Sequence, residues 1–406
     1  MKRKALKISG GVVLLFFLLL GLSVYNFISN KRIMESAELT GEFVTDTIPF
    51  QMAPSGHILI KARINGSDQS YPFILDSGAS NLIFSNHSSE FELQEKGSSL
   101  GFGSNGSYFS ASVHRLDQIQ IGDLEFRNIG LEEVDFNFSC MDYVYGIVGI
   151  GIMRHLIWQI DFEKEIIIVS TKLEDLPFGK EKVVFHLSEN RFSHHLKLPV
   201  KLSEKDKSIE VFLDLGSNTN LSLKQSHLSE SAVQPPFKKI QGKSSEGLGD
   251  TEGATANSTY YLLDSLRLGR SGFHLNRVPV YVNPRNMNLL GLGILKNYKT
   301  TISWKDRKLI LEPYLKPPSF IWKSAGFAMN FTDKAVVVAV IDNSAADKLG
   351  LKVGAEVLSI NGNNVKRDNF CSLKNSPEYK DSDTLNFRVR QVGKIFDHQL
   401  VKEPIF

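Results

Sequence analysis

Two short strings place a carboxylate where a turn can expose it: Asp76-Ser77-Gly78-Ala79 and Asp214-Leu215-Gly216-Ser217, 138 residues apart. Gly78 permits a turn that residues with a side chain resist. The aspartate before it can therefore sit at the floor of a cleft with neighbouring backbone N–H groups aimed at it. If two such turns face each other across an approximate two-fold axis, their carboxylates share a water and one proton, because like charges that close do not both ionise cheaply. The ionised member can then deprotonate the water as it attacks a peptide carbonyl, while the protonated member donates to the developing oxyanion.

As a bare string, Asp-Ser-Gly is weak evidence, and the weight comes from the repeat that carries it. Ile147-Val148-Gly149-Ile150-Gly151-Ile152-Met153-Arg154 aligns without a gap on Leu289-Leu290-Gly291-Leu292-Gly293-Ile294-Leu295-Lys296. At the same offset, Ile160, Phe162, Ile167 and Ile168 meet Ile302, Trp304, Leu309 and Ile310. Ile58 to Phe84 and Leu196 to Leu223 each read as strands running into an Asp-x-Gly turn. Ile119-Gln120-Ile121-Gly122 is echoed by Leu266-Arg267-Leu268-Gly269. The blocks recur in one order, so the chain holds a duplicated, mainly β unit, with lobes expected at 47–176 and 177–315.

Lys316-Pro317-Pro318-Ser319 reads as a stiff linker over 316–320. Beyond it, Ala335 to Ile341 is a buried-strand run. Ser344 to Gly350 reads as a short capped helix, Asn361-Gly362 as a tight hairpin turn and Leu385 to Val392 as a closing strand. These outline a separate α+β unit over 321–406.

With these motifs the chain resembles a bacterial member of the pepsin and retropepsin clan of aspartic proteases, in the two-lobed form joined to a PDZ domain. The resemblance implies two pseudo-symmetric β-barrel lobes plus a PDZ-like domain, with Asp76 and Asp214 as the catalytic pair. It implies that Ser77, Gly78, Gly216, Ser217, Gly149 and Gly291 support that pair. It places a glycine-containing flap at Gly101 to Ser110, with Gly103, Gly106 and Tyr108 over the cleft and a counterpart near Gly247 to Gly253. In the family the residue after each aspartate is threonine or serine, whose hydroxyl ties the lobes together. Ser77 can do this and Leu215 cannot, whereas Ser217 keeps a hydroxyl that could orient Asp214. In the C-terminal unit the resemblance puts a peptide-carboxylate site at Gly326, Phe327 and Ala328, read by β-augmentation. The implied partners are a polypeptide substrate and a peptide C-terminus. Because the repeat supplies both aspartates, a monomer is expected. The alternative reading, prompted by Leu215, is a non-catalytic scaffold that recruits partners through the PDZ-like domain.

The 406 residues exceed what one core usually supports. A formal charge of +3 with interspersed signs gives no reason to expect a nucleic-acid partner. Gly101-Phe102-Gly103-Ser104-Asn105-Gly106 matches a dinucleotide fingerprint, but a strand-like segment follows where that motif needs a helix. His186, His194 and His195 lack the spacing of a zinc signature and read as surface or strand residues, so neither metal nor cofactor is expected. Lys2, Arg3, Lys4 and Lys7 precede an apolar run from Ile8 to Ile28, closed by Lys31 and Arg32. Residues 1–32 thus read as a membrane anchor or signal peptide, followed by a linker over 33–46. The expected topology is single-pass in the cytoplasmic membrane, with the folded domains exported. Cys140 and Cys371 fall in different domains and are expected to be free, buried thiols.

Overall fold

The computed structural model describes residues 2–41, 45–104, 106–136, 139–203, 206–228, 236–243, 258–285 and 287–406. The chain is mainly β. Its first element, α1 (Lys2–Met34), contains one stretch, Val13–Met34, long and apolar enough to cross a bilayer, and the side chains of Val13 to Leu20 point outward. The end of α1 docks on the first lobe: Asn30 Nδ2 donates to the Ser98 carbonyl, and Arg154 donates to the Glu35 carbonyl at 2.6 Å.

That lobe runs β1 (Ile58–Ile64), β2 (Ser70–Leu75), β3 (Leu82–Phe84), β4 (Gln94–Phe102), β5 (Tyr108–Ile121), β6 (Leu124–Val134), β7 (Gly146–Val148) and α2 (Ile150–Met153). The second repeats the order as β8 (Leu196–Lys201), β9 (Ile209–Leu213), β10 (Leu221–Lys224), β11 (Phe237–Gly242), β12 (Thr259–Leu268), β13 (Phe273–Asn283), β14 (Leu289–Leu290) and α3 (Leu292–Leu295). The positioning device is the same in both. β7 lies parallel to β2, with Val148 opposite Leu75, and antiparallel to β3. Likewise β14 lies parallel to β9, with Leu290 opposite Leu213, and antiparallel to β10. Each central strand is wholly buried and reads as a short unbroken apolar run, as a strand covered on both faces should.

A six-stranded sheet joins the lobes, with Ile157–Asp161 of the first paired to Tyr298–Ser303 of the second. One hydrophobic core runs through both lobes. The linker is anchored: Phe320 is buried in that core, and its carbonyl accepts from Asn220 Nδ2 at 3.0 Å.

The C-terminal unit has a core of its own. Its elements are β15 (Phe327–Phe331), β16 (Ala335–Ile341), α4 (Ala345–Lys348), β17 (Glu356–Ile360), α5 (Phe370–Asn375), β18 (Thr384–Gln391) and β19 (Lys394–Val401). Ser344 caps α4 by accepting the Asp347 N–H, and Asn361 and Gly362 turn with positive φ. β16 also pairs with β11, so this unit and the second lobe share a continuous sheet.

The two cysteines correct the sequence expectation. Cys140 and Cys371 form a disulfide that crosses from the first lobe to α5. Spacing along the chain suggested separation, but Cys140 packs against the C-terminal core, and Ser139 Oγ donates to Asn330 Oδ1 on β15 at 2.9 Å.

Candidate active site

β2 and β9 deliver Asp76 and Asp214 to the floor of one cleft, the first 9% and the second 7% exposed. The brace strands hold each turn from beneath. The Asp76 N–H donates to the Val148 carbonyl and the Asp214 N–H to the Leu290 carbonyl, each at 3.0 Å. Gly149 and Gly291 pack so closely on carbonyls of the turns, those of Ala79 and Ser80 and of Ser217 and Thr219, that a side chain at either would collide.

The turns interlock. A Cβ on Gly78 would lie 2.6 Å from Asp214 Cγ, and one on Gly216 would overlap the Asp76 carboxylate. The Gly78 N–H donates to Asp76 Oδ1 at 2.6 Å. The Gly216 N–H faces both carboxylates, at 3.2 Å from Asp76 Oδ1 and 2.8 Å from Asp214 Oδ1. Burial, then the neighbouring charge of Asp76, raise the Asp214 carboxyl well above its ordinary value, against the lowering effect of the Gly216 and Ser217 N–H groups.

Ser77 ties the lobes from one side. Its Oγ donates to the Leu213 carbonyl at 2.9 Å and accepts the Leu215 N–H at 3.0 Å. Leu215 is buried in the common core and makes no such tie. The Ser217 hydroxyl pairs with the Thr219 hydroxyl at 2.9 Å.

Over the cleft, β4 and β5 form a hairpin. At its tip the Gly103 N–H donates to the Ser107 carbonyl, and Gly106 turns at φ +76°. The tip touches the second lobe, where the Met287 N–H donates to the Ser104 carbonyl at 2.9 Å. Tyr108 is 64% exposed and packs on Phe102, with ring centroids 4.3 Å apart. Phe102 and Phe109, rather than Tyr108, line the cleft, whose volume is about 1070 Å³. Met34 and Glu35 at the end of α1 form part of its wall. The counterpart flap near Gly247 to Gly253 lies outside the described residues.

In the C-terminal unit, Gly326 has φ +85° and packs against Ser344, while its N–H donates to Ser324 Oγ. Phe327 sets its ring against Phe387 in the core, and Ala328 pairs with Ala339.

Sequence reasoning missed two residues. His57 Nε2 lies 3.0 Å from the Gly216 carbonyl and His195 Nε2 lies 2.8 Å from the Gly78 carbonyl. His195 is therefore half-buried beside the aspartate pair and precedes its strand, whereas His186 is exposed and His194 pairs with Glu189 at 2.7 Å. Burial lowers both His57 and His195, opposed by the accepting carbonyls and by Asp76. The signal was available, since His57 and His195 are separated by the same 138 residues as the two aspartates.

No curated protein matches the chain. The crystal structure of an aspartic proteinase from Irpex lacteus is similar at 10% identity and a TM-score of 0.44, covering 67% of this chain and 98% of that one. Residues 60–151, which hold the first aspartate turn, the flap hairpin and the first brace strand, match the family model described as aspartyl protease.

Proposed function

We propose that the protein is an aspartic endopeptidase in which Asp76 and Asp214 activate water against a peptide bond. The carrying observation is the interlock of the two turns, with one N–H facing both carboxylates and the Asp214 carboxyl raised by burial and by the charge of Asp76. The water oxygen attacks the carbonyl carbon while Asp76 takes its proton and Asp214 gives its proton to the carbonyl oxygen. The tetrahedral diol then collapses. The proton on Asp76 passes to the amide nitrogen, the C–N bond breaks, and a hydroxyl proton returns to Asp214. The flap hairpin, resting on the second lobe through Ser104, excludes bulk water from the cleft.

The finer reading assigns 321–406 to a PDZ-like domain that receives a peptide C-terminus at Gly326 to Ala328. The order of strand, capped helix and hairpin supports it. Ser139 and Cys140 of the first lobe stand against β15 and α5, so an incoming peptide would meet that lobe. We place the chain in the cytoplasmic membrane through α1, with its folded part exported. The basic start of α1 and the disulfide, a bond suited to an oxidising compartment, support that side.

Incubation with fluorescein-labelled casein followed by mass spectrometry tests the activity. New internal termini from the wild type, absent with Asp76→Asn, are expected. Intact casein would count against the proposal.

A further inference from the structure

We propose that His57 and His195 are a matched pair of positioning residues, each tying down the aspartate turn of the opposite lobe and together making the second cross-lobe tie that Leu215 cannot. The inference rests on the proteolytic reading of the same site.

Each histidine immediately precedes the matching strand of its repeat, His57 before β1 and His195 before β8. Each reaches across the two-fold to the glycine of the other turn, at 3.0 Å to the Gly216 carbonyl and 2.8 Å to the Gly78 carbonyl. A carbonyl oxygen only accepts, so Nε2 carries the proton in both rings. At His57 this leaves Nδ1 to accept from the Ser55 hydroxyl, 2.7 Å away. His195 meets the Phe212 ring edge to face at 5.3 Å.

These two carbonyls matter because the same glycines act on their amide side. The N–H groups of Gly78 and Gly216 hold the carboxylate oxygens. Both positions must be glycine, since the opposing carboxylate fills the space a Cβ would take. Glycine is also the residue whose backbone wanders most freely. Anchoring its carbonyl from across the lobe fixes the torsion that aims the N–H. Ser77 provides one tie at the level of Leu213 and Leu215, and among the described residues no second hydroxyl answers it. The two imidazoles supply a symmetric pair one residue further along each turn.

The test compares His57→Phe, His195→Phe, His57→Gln and His195→Gln in the full-length chain on fluorescein-labelled casein. Glutamine carries an N–H donor close to the Nε2 position, whereas phenylalanine fills the space without one. Each Phe variant is expected to lower kcat about ten- to hundredfold with KM little changed, and each Gln variant to recover most of it. Folding is checked by thermal denaturation. Unchanged kcat in the Phe variants, or Gln variants as slow as Phe, would overturn the proposal. Independently of activity, nitrogen-resolved NMR of the histidine-labelled wild type at neutral pH should show both rings as the Nε2–H tautomer, and an Nδ1–H tautomer at either would overturn it. A wild type that leaves casein intact would remove the proteolytic reading while leaving the NMR result to decide the ties.

Discussion

The Ser77 hydroxyl accepts the N–H of Leu215 across the lobe boundary at 3.0 Å while donating to the Leu213 carbonyl at 2.9 Å. A single side chain therefore fastens both sides of the second turn. Ser77→Ala leaves a buried N–H and carbonyl unpaired, which costs about 1 to 3 kcal/mol. Urea unfolding should show that loss, and kcat should fall in the same variant.

Leu215 fills core space and takes no part in this tie. Leu215→Thr exchanges packed apolar volume for a hydroxyl, so it should destabilise by about 2 kcal/mol and leave cleavage within severalfold of wild type. A gain in rate of tenfold or more would show instead that the leucine disables the site.

The turn glycines allow no side chain. Gly216→Ala puts a methyl group into the Asp76 carboxylate and Gly78→Ala puts one 2.6 Å from Asp214 Cγ. Both variants should lose cleavage of labelled casein, because the carboxyl pair must separate to admit the extra atom.

The pH dependence has two opposed parts. The Asp214 carboxyl is raised by burial and by Asp76, so its contribution to stability is full below about 3.8 and is lost as pH rises through the folded value. Asp214→Asn removes that loss and should be the more stable protein at neutral pH. His57 and His195 are lowered by burial, so their contribution is lost as pH falls from 6.5 through their folded values. Urea midpoints measured between pH 4 and 8 for wild type, Asp214→Asn and His57→Gln separate these contributions. A proton-sharing pair should also give a bell-shaped rate profile.

Cys140 and Cys371 close a chain segment of 231 residues. A cross-link over so long a loop is worth about 2 to 4 kcal/mol. The Cys140→Ser, Cys371→Ser double variant should be less stable by that order and still cleave casein, since neither residue belongs to the dyad.

The duplicated unit, both aspartates and the apolar brace strands were legible because each is written as a local pattern: a strand, a glycine turn, and the run around Gly149 repeated around Gly291. The features that escaped depend on contacts between distant segments. Cys140 and Cys371 lie in different units along the chain, and only the docking of the first lobe on α5 brings them together. Tyr108 was expected over the cleft, but Phe109 beside it and Phe102, its partner across the hairpin, line the cleft instead. His195 read as a surface or strand residue because nothing in its own segment points to the Gly78 carbonyl, although the repeat spacing paired it with His57.

Whether one chain supplies both halves of a working carboxyl pair is decided by the rate of casein cleavage for wild type, Asp76→Asn and Asp214→Asn over a hundredfold dilution series. The expected outcome is a wild-type rate per molecule independent of concentration and no cleavage by either variant. Cleavage that survives Asp214→Asn and declines on dilution would contradict it.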